Sequence, residues 1–108
     1  KIERIFSLIP QYCFQGHTHV PGIFTDDSQF HTPGELDSHF ELGAQKLMIN
    51  VGSVGQPRDL VPDSCYLLVE DKQLEFRRVC YPVQTTVEKI YSIDALDNFL
   101  GDRLQQGR

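Results

Sequence analysis

Pro82 divides the sequence into two parts of different periodicity. Before it, apolar residues come in short runs: Tyr12 to Phe14, Lys46 to Val51, Cys65 to Glu70, and Leu74 to Tyr81. Each run is bounded by Gly, Pro or polar residues, which reads as strands separated by turns. After it, Leu96, Phe99, Leu100 and Leu104 recur at helical spacing and are expected on the inner face of a helix. The apolar residues Ile2, Ile5, Phe6 and Ile9 also fall at helical spacing, and Pro10 stops that segment. A helix end, then several strands, then helices is the order of an α+β chain with layered sheets.

The finer reading gives each segment an expected role. Tyr12 to Phe14 is expected to be a strand buried on both faces. A turn at Pro21-Gly22 leads into a second strand, and residues 25–38 read as one long polar loop. Phe40 to Leu42 reads as a short strand. Asp71-Lys72-Gln73 is the expected hairpin turn, and the apolar phase of the returning strand slips at Arg78, which a bulge would explain. Arg77 and Arg78 are then expected on opposite sides of the strand. Thr85 to Glu88 has capping-box spacing, placing a short helix at about 86–91. Ser92 is then the expected N-cap of a last helix.

The chain has 108 residues, enough for one small domain. It begins at Lys1, inside a helix that has no N-cap, so it is expected to be cut from a longer protein. The net charge of −5 comes without any Lys/Arg run, which argues against a sequence-independent nucleic-acid surface. An acidic chain can still bind phosphate where metal ions supply the positive charge. Cys13, Cys65 and Cys80 are widely spaced and lie among apolar residues, so they read as buried free thiols in a reducing, cytoplasmic setting. No apolar run is long enough for a membrane span.

Two segments carry chemistry. The first is Gly16-His17-Thr18-His19, at the end of an apolar run. In an extended segment, side chains two residues apart project to the same side. His17 and His19 would then reach one metal ion, or two neighbouring ions, and neutral imidazole suits Zn, Mn, Fe and Ni. The competing reading is a pair of loop histidines without a ligand. Thr18 reads as a solvent-facing spacer, or as a hydroxyl offered to the loop or to a substrate. The second segment runs from Asn50 through Ser53 to Arg58 and Asp59 and includes Gly52 and Gly55. Its amides can form an anion-binding nest and Arg58 can fork onto a phosphate. Composition alone favours a tight structural loop with Arg58 paired to Asp59 or another carboxylate. His31 and His39, with Asp26, Asp27, Glu35 and Asp37 nearby, read as a solvated loop, the alternative being a second metal site.

Gly16-His17-Thr18-His19-Val20-Pro21, followed by Ile49-Asn50-Val51-Gly52-Ser53-Val54-Gly55-Gln56-Pro57-Arg58-Asp59, resembles the closing segment of calcineurin-like metallophosphoesterases, of the small bacterial phosphodiesterase type. The tail from Arg78-Val79-Cys80-Tyr81-Pro82 through Leu104 to Arg108 is also similar to the end of such proteins, while residues 25–45 fit least. The resemblance implies that residues 1–108 are the C-terminal half of a four-layer α-β-β-α sandwich, part of a single metallophosphoesterase domain. It implies a site with two divalent transition-metal ions (Mn, Fe, Zn or Ni) bridged by a hydroxide, with His17 on one ion and His19 on the other. The family's other ligands lie in an Asp-x-His, a Gly-Asp-x-x-Asp, a Gly-Asn-His-Asp/Glu and an isolated His, and none occurs ahead of His17. Asn50 does not correspond to the family's bridging asparagine, and no catalytic acid or base is assigned within these residues.

The implied function is hydrolysis of a phosphate mono- or diester, with a small-molecule substrate, by the longer parent; two histidines alone cannot hold a dinuclear centre. Gly16, Thr18, Asn50, Ser53 and Arg58 are the candidate residues on the phosphate side. The alternative is a non-catalytic protein-binding scaffold on the same fold, and a third reading is a small domain in which the histidine pair is incidental.

Overall fold

Two β-sheets face one another in the computed structural model, which describes residues 1–108. In chain order the elements are α1 (Ile2–Leu8), β1 (Tyr12–Gln15), β2 (Gly22–Thr25), β3 (Phe30–His31), β4 (His39–Glu41) and β5 (Leu47–Asn50). They are followed by β6 (Ser64–Glu70), β7 (Gln73–Val79), α2 (Val83–Tyr91) and α3 (Phe99–Gln106). The first sheet has the order β1-β5-β2-β3 and the second β4-β7-β6. The α+β class expected from the sequence is the one observed, and the two facing sheets with three helices suit part of an α-β-β-α sandwich.

The core forms between the sheets. Ile23, Leu47 and Ile49 come from the first sheet, Cys65, Leu74 and Phe76 from the second, and Leu42 joins them. Ile23, Leu47, Ile49 and Leu74 are fully buried, and each such side chain contributes about 1.5–3 kcal/mol relative to exposure. β1 pairs with β5 in parallel, Tyr12 beside Leu47 through Gln15 beside Asn50. β2 runs antiparallel to β5 on its other side. β1 is an edge strand, so Phe14 is 47% exposed. The expectation of burial on both faces does not hold, because nothing among these residues covers that edge.

The second sheet corrects another expectation. β6 and β7 pair without interruption from Ser64 opposite Val79 to Glu70 opposite Gln73. There is no bulge. Arg78 simply occupies an inward position opposite Cys65, and Val79 is left half-exposed. The guanidinium is accommodated because it pairs with Asp59 and donates to the Asp63 carbonyl at 3.1 Å. Arg77 faces the other way and pairs with Glu75 at 2.8 Å, as expected of neighbours on a strand. The hairpin turn is the two residues Asp71 and Lys72, with φ of 47° and 65°. That double left-handed pattern matches the twist of the paired strands.

Residues 25–38 are not one open loop. The β2–β3 hairpin closes with Thr25 N–H on the Gln29 carbonyl at 3.0 Å, and a second turn follows at Thr32. There the Glu35 carboxylate accepts from Thr32 N–H at 2.7 Å and from Thr32 Oγ1 at 3.0 Å, while Glu35 N–H donates to Thr32 Oγ1 at 3.3 Å. This reciprocal pair is the arrangement of a capping box. The similar spacing at Thr85 and Glu88 is not used, since α2 already begins at Val83 behind Pro82. Ser92 caps the C-terminal end of α2 instead of starting the next helix. α3 begins at Phe99, whose N–H is held by the Asp97 carboxylate at 2.8 Å. Of the expected inner face only Leu104 is buried, together with Gly101; Leu96, Phe99 and Leu100 are exposed. Gly107 ends α3 at φ 66°, and its carbonyl accepts from Leu60 N–H at 2.9 Å. A Cβ there would lie 2.7 Å from the Val61 nitrogen, so only glycine lets the helix end dock on that loop.

The three thiols are free, but only Cys65 is buried; Cys13 is half-buried and Cys80 exposed. Burial pushes the Cys65 thiol up from its ordinary value. No helix is long and apolar enough to cross a membrane. The molecule measures 50 × 29 × 19 Å with a radius of gyration of 16.0 Å, against about 13 Å for a compact chain of similar length.

Two predictions follow from this packing. The bonds from Thr32, the main-chain one first, hold the Glu35 carboxyl below its ordinary value of 4.5. Their contribution is complete above the unfolded value and is lost as pH falls through the lower folded value. The Thr32 amide proton should therefore titrate with a midpoint below 4.5 in an NMR series, and Glu35→Gln should abolish that titration. Separately, Arg78→Met strands Asp59, whose Oδ1 is already buried without a partner. With the pair about a quarter exposed, the loss should be about 2–3 kcal/mol. The double variant Arg78→Met with Asp59→Asn should recover most of it in urea unfolding.

Candidate metal centre

β1 and β5 run in parallel, so both end at the same edge of the sheet. The segments that leave them, residues 16–19 and 51–59, therefore start side by side. The last rung between the strands is Val51 N–H to the Gln15 carbonyl at 2.9 Å.

The Gly16–His19 segment is a turn, not a continuation of the strand. His19 N–H donates to the Gly16 carbonyl at 3.1 Å, and His17 N–H donates to Gln15 Oε1 at 3.0 Å. His19 has φ 62°, in the left-handed region. The expected extended geometry is thus replaced by a tight turn, which presents the two imidazoles in a different way. His17 is exposed and its ring makes no hydrogen bond within the chain. His19 is half-buried, and its Nδ1 lies 2.8 Å from the Gln56 carbonyl. A carbonyl can only accept, so Nδ1 carries the proton and Nε2 keeps the lone pair. An imidazole held by one nitrogen with the other left basic is the form that binds a metal ion.

Thr18 is not a free spacer. Its Oγ1 accepts from Asn50 Nδ2 at 2.6 Å and from Val20 N–H at 3.4 Å. Asn50 is 1% exposed, and its Oδ1 accepts from Gly52 N–H at 3.0 Å. Both polar atoms of the amide therefore have a partner within the chain. Gly52 has φ 81°, and a Cβ there would lie 2.7 Å from Cys65 Sγ. This close approach sets the loop directly against the core.

The rest of the second segment closes on the first. Ser53 Oγ accepts from Gln56 N–H at 2.9 Å, which shapes the turn that delivers the Gln56 carbonyl. Arg58 N–H donates to the His19 carbonyl at 3.1 Å. The amides of Gly52, Gln56 and Arg58 are thus used internally, and the segment acts mainly as a clamp on the histidine turn. The pairing of Arg58 with Asp59, expected from composition, does not form. Asp59 pairs with Arg78, and the exposed Arg58 guanidinium donates to Gln56 Oε1 at 3.0 Å. The Gln56 carbonyl is the part that sequence reasoning missed, since a main-chain acceptor has no signature in residue identity.

His31 and His39 do not build a second centre. His39 Nδ1 donates to the Asp37 carbonyl at 2.7 Å, and its Nε2 lies 3.8 Å from Glu75 Oε1. Asp27 accepts from Thr25 Oγ1, and Glu35 is taken up by Thr32. No three His, Cys, Asp or Glu side chains gather anywhere in the chain as a potential metal cage. His17 and His19 fit two positions in a metal site by their donor chemistry, and the remaining ligands would have to come from outside these residues.

No protein-family model matches the chain. It is 35% identical over 101 residues to an uncharacterised protein of Methanocaldococcus jannaschii, a match that takes in 88% of this chain and 39% of that protein. Among solved structures, the crystal structure of a metallophosphoesterase from Sphaerobacter thermophilus matches with a TM-score of 0.81 and 30% identity, over 94% of this chain and 45% of that one. The chain spans less than half the length of either relative. In fold and in sequence it is similar to part of a metallophosphoesterase.

Proposed function

We propose that the chain is the C-terminal part of a dinuclear-metal phosphoesterase domain that hydrolyses a small-molecule phosphate mono- or diester in a reducing, cytoplasmic setting. The observation that carries this reading is the likeness to the Sphaerobacter metallophosphoesterase, which extends over nearly the whole chain. The His19 ring, held through Nδ1 with Nε2 left basic, supports it independently. The elongated shape, with only 17 of 108 residues buried, suits part of a larger domain better than a small domain standing alone.

His17 and His19 would each hold one of two divalent transition-metal ions, through a ring nitrogen not otherwise bonded in the chain. Bound ions supply Lewis acidity and charge neutralisation for attack of water on phosphorus. The chain's own part is to fix those two imidazoles at the end of the sheet. The Gln56 carbonyl fixes the tautomer of His19, and the Arg58 amide holds the His19 carbonyl. The exposed Arg58 guanidinium is bonded only to a neutral amide, which leaves it able to meet a phosphoryl oxygen.

Elemental analysis of the full-length protein after gel filtration tests this reading. About two ions per chain are expected, falling when either His17 or His19 is replaced by Ala, along with metal-stimulated cleavage of an aryl phosphate ester. A full-length protein that holds no metal after purification with manganese, and cleaves no ester, would refute it.

A further inference from the structure

We propose that Asn50 is a positioning residue for the metal-binding turn, acting through Thr18 on the two histidines that flank it; this rests on the reading of His17 and His19 as ligands. Asn50 sits at the end of β5 and is almost wholly buried. Its orientation is settled by chemistry. Gly52 N–H is a donor, so the group facing it at 3.0 Å is Oδ1, and Nδ2 faces Thr18 Oγ1 at 2.6 Å. The side chain therefore ties the residue between the two histidines to the backbone of the clamp segment.

The position of that tie gives it its effect. A four-residue turn joined to the sheet only at its start could pivot about Gly16, carrying both imidazoles with it. Four bonds oppose this: His17 N–H to Gln15 Oε1 near its start, Asn50 to Thr18 in the middle, the His19 ring to the Gln56 carbonyl, and Arg58 N–H to the His19 carbonyl. The last two act on the same residue at the far end. Only the Asn50 bond ties the residue between the two histidines to the sheet, and it comes from a side chain that is itself almost wholly buried. Loss of this bond frees the turn to move and leaves a buried amide donor without a partner. The imidazole of His19 then no longer has one fixed approach to the Gln56 carbonyl, and the fraction of molecules with Nε2 basic falls.

Thr18 is the better place for the test, because it lies at the surface while substitution of Asn50 endangers the fold. Full-length wild-type, Thr18→Val and Thr18→Ser proteins would be compared. Zinc alone is the probe for affinity. The tautomer of His19 in the metal-free protein is read from imidazole nitrogen shifts at pH 8. In wild type a single Nδ1–H form is expected. Thr18→Val should give a mixture of tautomers and lose about tenfold or more in zinc affinity. Thr18→Ser, which keeps the acceptor oxygen, should restore both.

A Thr18→Val protein that keeps the single tautomer and binds zinc as wild type does would overturn the proposal. So would a Thr18→Ser protein as impaired as Thr18→Val, since the oxygen would then not be the operative atom. If the wild type takes up no zinc or manganese, the metal-centre reading fails with it. A tautomer in that case still fixed in wild type and mixed in Thr18→Val would show the positioning effect to be separate from that failure.

Discussion

The parallel pairing of β1 with β5 is the constraint on which the rest depends. Two adjacent parallel strands deliver their C-terminal ends to the same edge, whereas an antiparallel pair would send the two loops to opposite ends of the sheet. The register fixes more than proximity. Leu47 and Ile49 point into the core and are fully buried, so Asn50 must point to the other face. A slip of one residue would exchange Ile49 for Asn50 in the core and would remove the amide from Thr18 at the same time. Apolar burial between the sheets thus determines, through strand alternation, the position of a polar group at the candidate site.

What was legible in the sequence follows from this. The strand at Leu47–Asn50 and the β6–β7 hairpin could be read from short apolar runs and a polar turn, because those signals are local. The adjacency of β1 and β5 could not, because the two are more than thirty residues apart in sequence. The capping spacing is present at both Thr32–Glu35 and Thr85–Glu88, among other places, and the residues alone do not say which is used. Tertiary context decides. Pro82 already starts α2, so Thr85 lies inside the helix, whereas Thr32 stands at the free entrance to a turn. Arg78 misled for a related reason. A charged residue at an inward position looks like a break in phase until its partner, Asp59, is brought from a distant loop. At the site, the histidines and Asn50 could be picked out by type, but the turn geometry and the Gln56 carbonyl could not, since both are properties of the main chain.

The electrostatics point the same way. The chain carries a net charge of −5, and its cationic side chains near the two sheets are largely committed. Arg77 pairs with Glu75 and Arg78 with Asp59. Arg58 is the guanidinium beside the histidine turn that faces no carboxylate. One exposed arginine on an acidic chain is a weak counterweight to a phosphate group. Recognition of a phosphate ester by this surface would thus depend chiefly on cations held by the imidazoles, with Arg58 in a supporting place.

The backbone at His19 is left-handed, with φ 62°. That conformation costs a non-glycine residue roughly 1–2 kcal/mol. Two hydrogen bonds act on the same residue, from its ring to the Gln56 carbonyl and from Arg58 N–H to its own carbonyl, and they offset the strain. An unconstrained loop would avoid the strain but would have to be ordered when a metal binds, at about 1–2 kcal/mol for each residue fixed. The folded chain has already met that ordering cost in building its loop pair. The strain at His19 therefore suits a turn that is shaped in advance for the ion proposed to bind there.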